Sequence, residues 1–320
     1  MLGELLLWSP WFIVGVVLVA MWRFKRSTLV LADPARARGK FVVVTGAAMG
    51  IGLATAMELL RLGANVYACD INMMALNEAF AGFGSDRVKK IKVDVTKQAD
   101  CDELRRICTE VHGVVNCAGV ASPPGRTRTM LLGAAELDVD VDVQPVFDVN
   151  LYGTIRVNST LFPLLFETKG TIVNIASVAG RLAAPGLAVY AATKHAVVAY
   201  SASCRRELEP YAMPVYCVEP GFTSTPMVTK SLAPEGADLS RTRLHRTFGK
   251  VSDKIQGTIG TLQSVERVST AICACLFAER LPPHFVVDEN KFWLFTIASM
   301  LPHSWIDAAI AFGIRRSQSQ

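Results

Sequence analysis

The stretch Thr45-Gly46-Ala47-Ala48-Met49-Gly50-Ile51-Gly52 restricts the possible folds of this chain more than any other. It follows the apolar run Phe41-Val42-Val43-Val44 and leads into an apolar helix reaching about Leu62. A strand, a glycine-rich turn and a helix in direct succession form the unit from which parallel α/β sheets are wound. The glycines let the backbone approach a pyrophosphate, and the helix N-terminus favours its negative charge. Gly46, Met49, Gly50, Ile51 and Gly52 are therefore candidate cofactor contacts.

Val66-Tyr67-Ala68-Cys69 reads as the second strand, ended by Asp70. A carboxylate at this place can hydrogen-bond the ribose hydroxyls of an adenosine and repels a 2′-phosphate. No Lys or Arg lies in the glycine turn or directly after Asp70, and both facts favour NAD over NADP. The alternative is that Asp70 caps the helix starting near Asn72. Lys92-Val93-Asp94-Val95 is read as closing the third strand, 114–119 as the fourth, 170–177 as the fifth, 215–218 as the sixth and 285–287 as the last.

A second feature lies in an Ala-rich helix predicted over about 189–209. Tyr190 and Lys194 stand four residues apart, on one helical face. A phenol titrates near pH ~10 and is a poor acid or base at neutral pH. A fixed ammonium beside it favours the phenolate and is expected to lower that pKa towards the useful range. An isolated Tyr-x-x-x-Lys is most often a half-buried aromatic beside a solvated lysine. Here the pair follows Asn150, in Val149-Asn150-Leu151-Tyr152-Gly153, and Ser177, at the end of the fifth strand.

The ordered set Thr-Gly-x-x-x-Gly-Ile-Gly, Asn116-Cys117-Ala118-Gly119, Asn150, Ser177, Tyr190-x-x-x-Lys194 and Pro220-Gly221 resembles the short-chain dehydrogenase/reductase family over roughly 39–290. Cys117 departs from it, where the family usually has a second Asn. The resemblance implies one doubly wound parallel sheet with helices on both faces. It implies NAD-linked hydride transfer at an alcohol or carbonyl, with Tyr190 as general acid/base and Ser177 on the substrate oxygen. Lys194 would support Tyr190 and the nicotinamide ribose, and Asn150 would order a water. It places Asp94 and Val95 by the adenine, Asn116, Ala118 and Gly119 by the nicotinamide ribose, and Pro220, Gly221 and Thr223 by the carboxamide. Asp94 alone reads equally as a turn residue. Residues 137–142 alternate apolar and Asp like a strand, but the resemblance puts a loop there and then a long helix over about 147–166 carrying Asn150, and that is the reading expected here. Asn158-Ser159-Thr160 matches a glycosylation sequon but falls in that helix, so it reads as structural.

The two ends decide the partner. Hydrophobic residues make up 51% of the chain, high for a soluble domain, and residues 5–22 are almost wholly apolar. Eighteen such residues span ~27 Å as a helix, enough for a thin bilayer such as that of the endoplasmic reticulum. A cleaved signal peptide is the alternative, but no basic stretch precedes the run and Arg23-Phe24-Lys25-Arg26 follows it. The positive flank places the domain on the cytosolic side. The expected division is an anchor at 1–26, a linker at 27–39, a dehydrogenase domain at 40–290 and a membrane-associated tail at 291–320. Pro302 splits the apolar tail into two short helices, which would dip into the interface or pack on the domain or a partner subunit. Leu182-Ala183-Ala184-Pro185-Gly186, Arg205-Arg206-Glu207-Leu208 and the Leu301-Pro302 pattern are similar to the retinol/hydroxysteroid dehydrogenase branch, which implies a lipophilic small-molecule substrate; the long helices carrying Asn150 and Tyr190 form subunit faces in similar proteins, which implies a homo-oligomer.

Residues 224–251 read as a substrate-covering loop or a disordered insertion. Its Arg241, Arg243, His245 and Arg246 are candidates for an alternative substrate, a small 3-hydroxy acid. A non-catalytic, membrane-tethered nucleotide-binding scaffold is the alternative outside enzymology. The net charge of +5 is modest, and no basic stripe interleaved with aromatics marks a nucleic-acid partner. The eight cysteines show no paired spacing for a metal and read as reduced core thiols.

Overall fold

The computed structural model describes residues 15, 31–123, 134–228, 243–244, 262–279 and 284–287. Among the described residues seven strands form one sheet: β1 (Phe41–Thr45), β2 (Asn65–Asp70), β3 (Val88–Lys92), β4 (Gly113–Asn116), β5 (Thr171–Ile175), β6 (Val215–Pro220) and β7 (His284–Val287). Their order is β3-β2-β1-β4-β5-β6-β7, and every pairing is parallel. The main helices are α1 (Gly50–Arg61), α2 (Met73–Ala79), α3 (Gln98–Ile107), α4 (Thr154–Thr168), α5 (Ala188–Leu208) and α6 (Val265–Phe277).

The helices cover both faces, so the inner strands bury both sets of side chains and read as unbroken apolar runs. Successive β1 residues alternate between the two sides. Val42 and Val44 pack with Leu59 of α1, Leu76 of α2 and Ile272 of α6. Val43 packs on the other face with Leu104 of α3 and Leu161 and Leu165 of α4. The chain order reverses between β1 and β4. In such sheets a ligand crevice opens beyond the carboxyl ends of the strands at that point.

Two expectations fail locally. The third strand ends at Lys92, before Val93-Asp94-Val95. Asp94 instead accepts hydrogen bonds from the Thr96 amide and hydroxyl, which turns the chain towards α3. Residues 137–142, as expected, form no strand, and they lead into a π-helical turn, Val139–Val143. The Asp138 side chain accepts from the amides of Asp140 and Val141, so local bonds take the backbone away from any ladder. The helix expected from 147 begins as a short turn, Gln144–Phe147, then a π-helical stretch, Asp148–Gly153, before α4.

Among the described residues no helix is long and apolar enough to cross a membrane. Apart from Gly15, the expected anchor over 5–22 lies outside the described residues. So do the tail over 291–320 and most of the loop over 224–251. All eight cysteines are free, and six of them are buried.

Candidate active site

The glycine turn shows why its residues are small. Gly46 has φ +66°, in the left-handed region that costs a side-chain-bearing residue, and a Cβ there would lie 3.0 Å from the Ala118 backbone. A Cβ on Gly52 would strike the Gly46 carbonyl, so helix and turn touch backbone to backbone. Met49, exposed, is the N-cap of α1 and provides no side-chain hydrogen bond to the first turn. The turn is thus a backbone cradle at a helix N-terminus with no side-chain cap, the donor set that suits a pyrophosphate. Ile51 faces inward and packs on the core.

Asp70 ends β2 and braces this cradle. Its Oδ2 accepts the Ala48 amide (3.0 Å) and its Oδ1 accepts the Asn72 amide (2.9 Å). The helix cap proper is Asn72, whose side chain accepts from Ala75. Burial pushes the Asp94 carboxyl up, but the two Thr96 hydrogen bonds and Lys97 outweigh it and hold it below its ordinary value. The Val95 carbonyl accepts the Arg156 guanidinium at 2.6 Å.

Across the crevice, β4 ends at Asn116. The Asn116 side chain donates to Asn158 (2.7 Å) and Asn174 (2.9 Å), inside the domain. Asn158, the sequon residue, is buried there. What β4 offers the crevice is backbone at Cys117, Ala118 and Gly119. That backbone is held by Thr45, to which motif spacing alone gives no role. The buried Thr45 hydroxyl accepts the amides of Cys117 and Ala118, both at 3.1 Å.

Asn150 sits in the π-helical stretch, 1% exposed. Its Oδ1 accepts the Val120 amide (2.8 Å), and its Nδ2 donates to the Val120 carbonyl (2.9 Å) and the Thr193 hydroxyl (3.0 Å). Both N–H donors are committed, and Oδ1 keeps one acceptor position. Asn150 therefore ties the chain after β4 to α5, one residue from Lys194. A Cβ on Gly119 would lie 3.3 Å from Asn150 Oδ1 and 3.7 Å from Lys194 Nζ, so these groups share one corner.

Lys194 reaches back from α5 to the end of β5. Its Nζ donates to the Ile175 carbonyl at 2.8 Å, and burial draws its pKa down to about 8. It stands 5.7 Å from the centre of the Tyr190 ring. Tyr190 keeps some surface exposure but is densely enclosed, and burial raises its pKa; a hydrogen bond with Ser177 opposes the rise. The expectation that Lys194 lowers the Tyr190 pKa thus needs correction. Enclosure sets the phenol, with Ser177 opposing it, and the ammonium is itself drawn down by burial and engaged by a carbonyl. Ser177 accepts the Ala179 amide (3.2 Å) and its hydroxyl lies 3.5 Å from the Pro220 carbonyl.

Past β6, the Gly221 amide donates to the Val287 carbonyl at 2.9 Å. The buried Thr223 hydroxyl donates to the Gly221 carbonyl (2.9 Å) and accepts from Gln263 (3.1 Å). Thr225 then folds over the glycine turn, 3.3 Å from where a Gly50 Cβ would be. The basic cluster of the following loop is described only at Arg243, whose amide donates to Glu136 at 2.9 Å. Among the described residues no group of His, Cys, Asp or Glu could hold a metal ion.

The sequence profile of the short chain dehydrogenase family matches residues 40–236, more than half of the chain. Mouse retinol dehydrogenase 16 is 32% identical over 66% of this chain, and the match spans 65% of that protein, just under two thirds of its length. The dog (3R)-3-hydroxyacyl-CoA dehydrogenase is 32% identical over 76% of this chain and 91% of its own. Among solved structures, a short chain dehydrogenase from Burkholderia cenocepacia in complex with NADP superposes with a TM-score of 0.66. It covers 86% of this chain and 98% of its own, and at 20% identity it speaks for the fold.

Proposed function

Since this chain belongs to the short-chain dehydrogenase family, we propose that it is an oxidoreductase acting between NAD(H) and an alcohol or carbonyl of a lipophilic substrate, of the retinoid or steroid class. One observation carries the chemistry: Ser177, Tyr190 and Lys194 converge beside the glycine cradle, with Asn150 bracing their corner. A bound nicotinamide supplies or accepts the hydride. Tyr190 gives a proton to the carbonyl oxygen in reduction and takes it from the alcohol in oxidation. Ser177 hydrogen-bonds that oxygen and stabilises the charge developing on it. Lys194 places a positive charge beside the phenol and offers its remaining N–H groups to the ribose hydroxyls. The open acceptor position on Asn150 serves a water leading from Lys194 to solvent.

The cradle at Gly46, Met49, Gly50 and Gly52 would hold the pyrophosphate. Asp70 would hold the adenosine ribose, with Asp94 and Val95 near the adenine. Ala118, Gly119, Pro220, Gly221 and Thr223 would frame the nicotinamide. Asp70 favours NAD over NADP, because its carboxylate repels a 2′-phosphate. The retinoid or steroid class draws support from the mouse relative and from the apolar run over 5–22 with its basic flank. These also support an anchor at 1–26, a linker at 27–39, a catalytic domain at 40–290 on the cytosolic side of the endoplasmic reticulum membrane and a lipid-associated tail at 291–320. Contiguous exposed aromatics, Phe162 and Phe166 of α4 with Tyr211, support a homo-oligomer.

The dog relative, a (3R)-3-hydroxyacyl-CoA dehydrogenase, favours the second reading, oxidation of a small 3-hydroxy acid. Turnover of the detergent-solubilised chain against retinol, hydroxysteroids and 3-hydroxybutyrate, each with NAD and NADP, separates them. NAD-linked oxidation of a retinoid or sterol is the expected result. Activity confined to the hydroxy acid would replace the substrate class, and a preference for NADP would contradict the reading of Asp70.

A further inference from the structure

Glu219 is the penultimate residue of β6, directly before the Pro220-Gly221 turn, and it is 0% exposed. A fully buried carboxylate needs a partner, and it has one that lies far off in sequence. Arg181 grips it with two hydrogen bonds, Nε to Oε2 and Nη2 to Oε1, the latter at 2.8 Å. Arg181 is the residue after the short turn Val178–Gly180 that Ser177 caps, and it opens the stretch leading to Tyr190. The ion pair therefore fastens the segment between Ser177 and Tyr190 to the strand end beneath Pro220-Gly221.

We propose that Arg181 and Glu219 are positioning residues for the proton-transfer groups: the pair fixes where Ser177 and Tyr190 stand relative to the Pro220-Gly221 turn. This rests on the oxidoreductase reading above. A buried ion pair is weak as a source of stability, since apolar residues of similar volume often replace one at no net cost. Its planar, two-pronged geometry is strong as a source of direction. The Pro220-Gly221 turn does not depend on it. The Gly221 amide is held by the Val287 carbonyl, and Gln263 donates to that same carbonyl at 2.6 Å and to Thr223. Ser177 has its own long contact to β6, its hydroxyl 3.5 Å from the Pro220 carbonyl, whereas the stretch 181–187 has Arg181 as its fork onto β6. Loss of the pair thus disturbs the alignment of Ser177 and Tyr190 and spares the cofactor seat.

The test compares wild type, Arg181→Lys and the double variant Arg181→Met/Glu219→Met, which leaves no unpaired buried charge. Thermal midpoint, NADH affinity by nicotinamide fluorescence, and kcat are measured on the full chain. The double variant is expected to keep its thermal midpoint and an NADH Kd within about twofold. Its kcat falls roughly 10–100-fold, the scale of a small misplacement of reacting groups. Arg181→Lys, which keeps the charge and loses the fork, lies between. A double variant with wild-type kcat, or one whose kcat and NADH affinity fall together, overturns the positioning role. Wild-type protein without turnover on any alcohol or carbonyl overturns the oxidoreductase reading, and this inference with it.

Discussion

Lys194→Met should make the protein more stable and inactive at once. Lys194 is 6% exposed, and burial brings its ammonium from an ordinary 10.5 to about 8. At about 1.4 kcal/mol for each tenfold change in proton affinity, folding a charged Lys194 costs roughly 3 kcal/mol. Methionine fills similar space without that cost, but it leaves the Ile175 carbonyl without its donor, a loss of about 1 kcal/mol. The expected gain at pH 7 is then about 2 kcal/mol, or ~4–8 °C in thermal midpoint for a domain of this size. The sign follows from proton binding. Above 10.5 neither folded nor unfolded Lys194 carries charge and the cost is absent; below 8 it is felt in full. Wild type should therefore gain stability relative to the variant as pH rises from about 8 to 10.5, and the advantage of the variant should fade over that window. Urea unfolding of both proteins at a series of pH values between 7 and 10.5 reads this directly, with all other lysines common to both. A variant less stable than wild type at pH 7, or a gap that does not change with pH, would refute the burial argument.

Three further outcomes follow from the same geometry. Gly52→Ala gains about 1 kcal/mol of helix propensity but forces the Gly46 carbonyl aside, at ~1–3 kcal/mol of overpacking; NADH affinity should fall tenfold or more while the melting point moves little, and unchanged affinity in a fluorescence titration would contradict the cradle. Thr45→Val removes the acceptor of two amides, so unfolding should cost ~1–3 kcal/mol less and NADH binding should weaken as the Ala118 backbone loosens. Asp70→Asn removes the negative charge at the adenosine end; the ratio of kcat/KM for NAD over NADP should drop at least tenfold, and an unaltered ratio in steady-state assays would show that Asp70 only braces the turn.

The sequence made the sheet legible where strands are buried on both faces. In β1, β5 and β6 the apolar runs are nearly continuous and mark the strand ends to within a residue or two, whereas β4 stops at Asn116, three residues short of the expected 119. β3 was misplaced because it is an edge strand. Lys89 and Lys92 are exposed there, on opposite faces, and the apolar Val93 and Val95 beyond the strand carry the pattern past its end. The Asp-rich alternation at 137–142 mimics a strand, yet Asp side chains that capture nearby amides leave no backbone for a ladder. The π-helical stretch around Asn150 leaves no mark in residue periodicity.

At the site, spacing disclosed which residues meet but not what their surroundings do to them. Tyr190 and Lys194 read as a charge-coupled pair, whereas enclosure turns out to dominate both. The supports stayed hidden for a simpler reason. Thr45 with Cys117, Asn150 with Thr193 and Arg181 with Glu219 lie 38 to 72 residues apart and join only once the sheet has formed.

The central claim is that Tyr190 moves the proton while other groups hold the nicotinamide cofactor. Tyr190→Phe tests it most directly, with NADH binding and alcohol turnover measured on the same preparation. NADH affinity within about threefold of wild type and turnover reduced by 10²-fold or more are the expected pair of results. Turnover that survives the substitution would contradict the account.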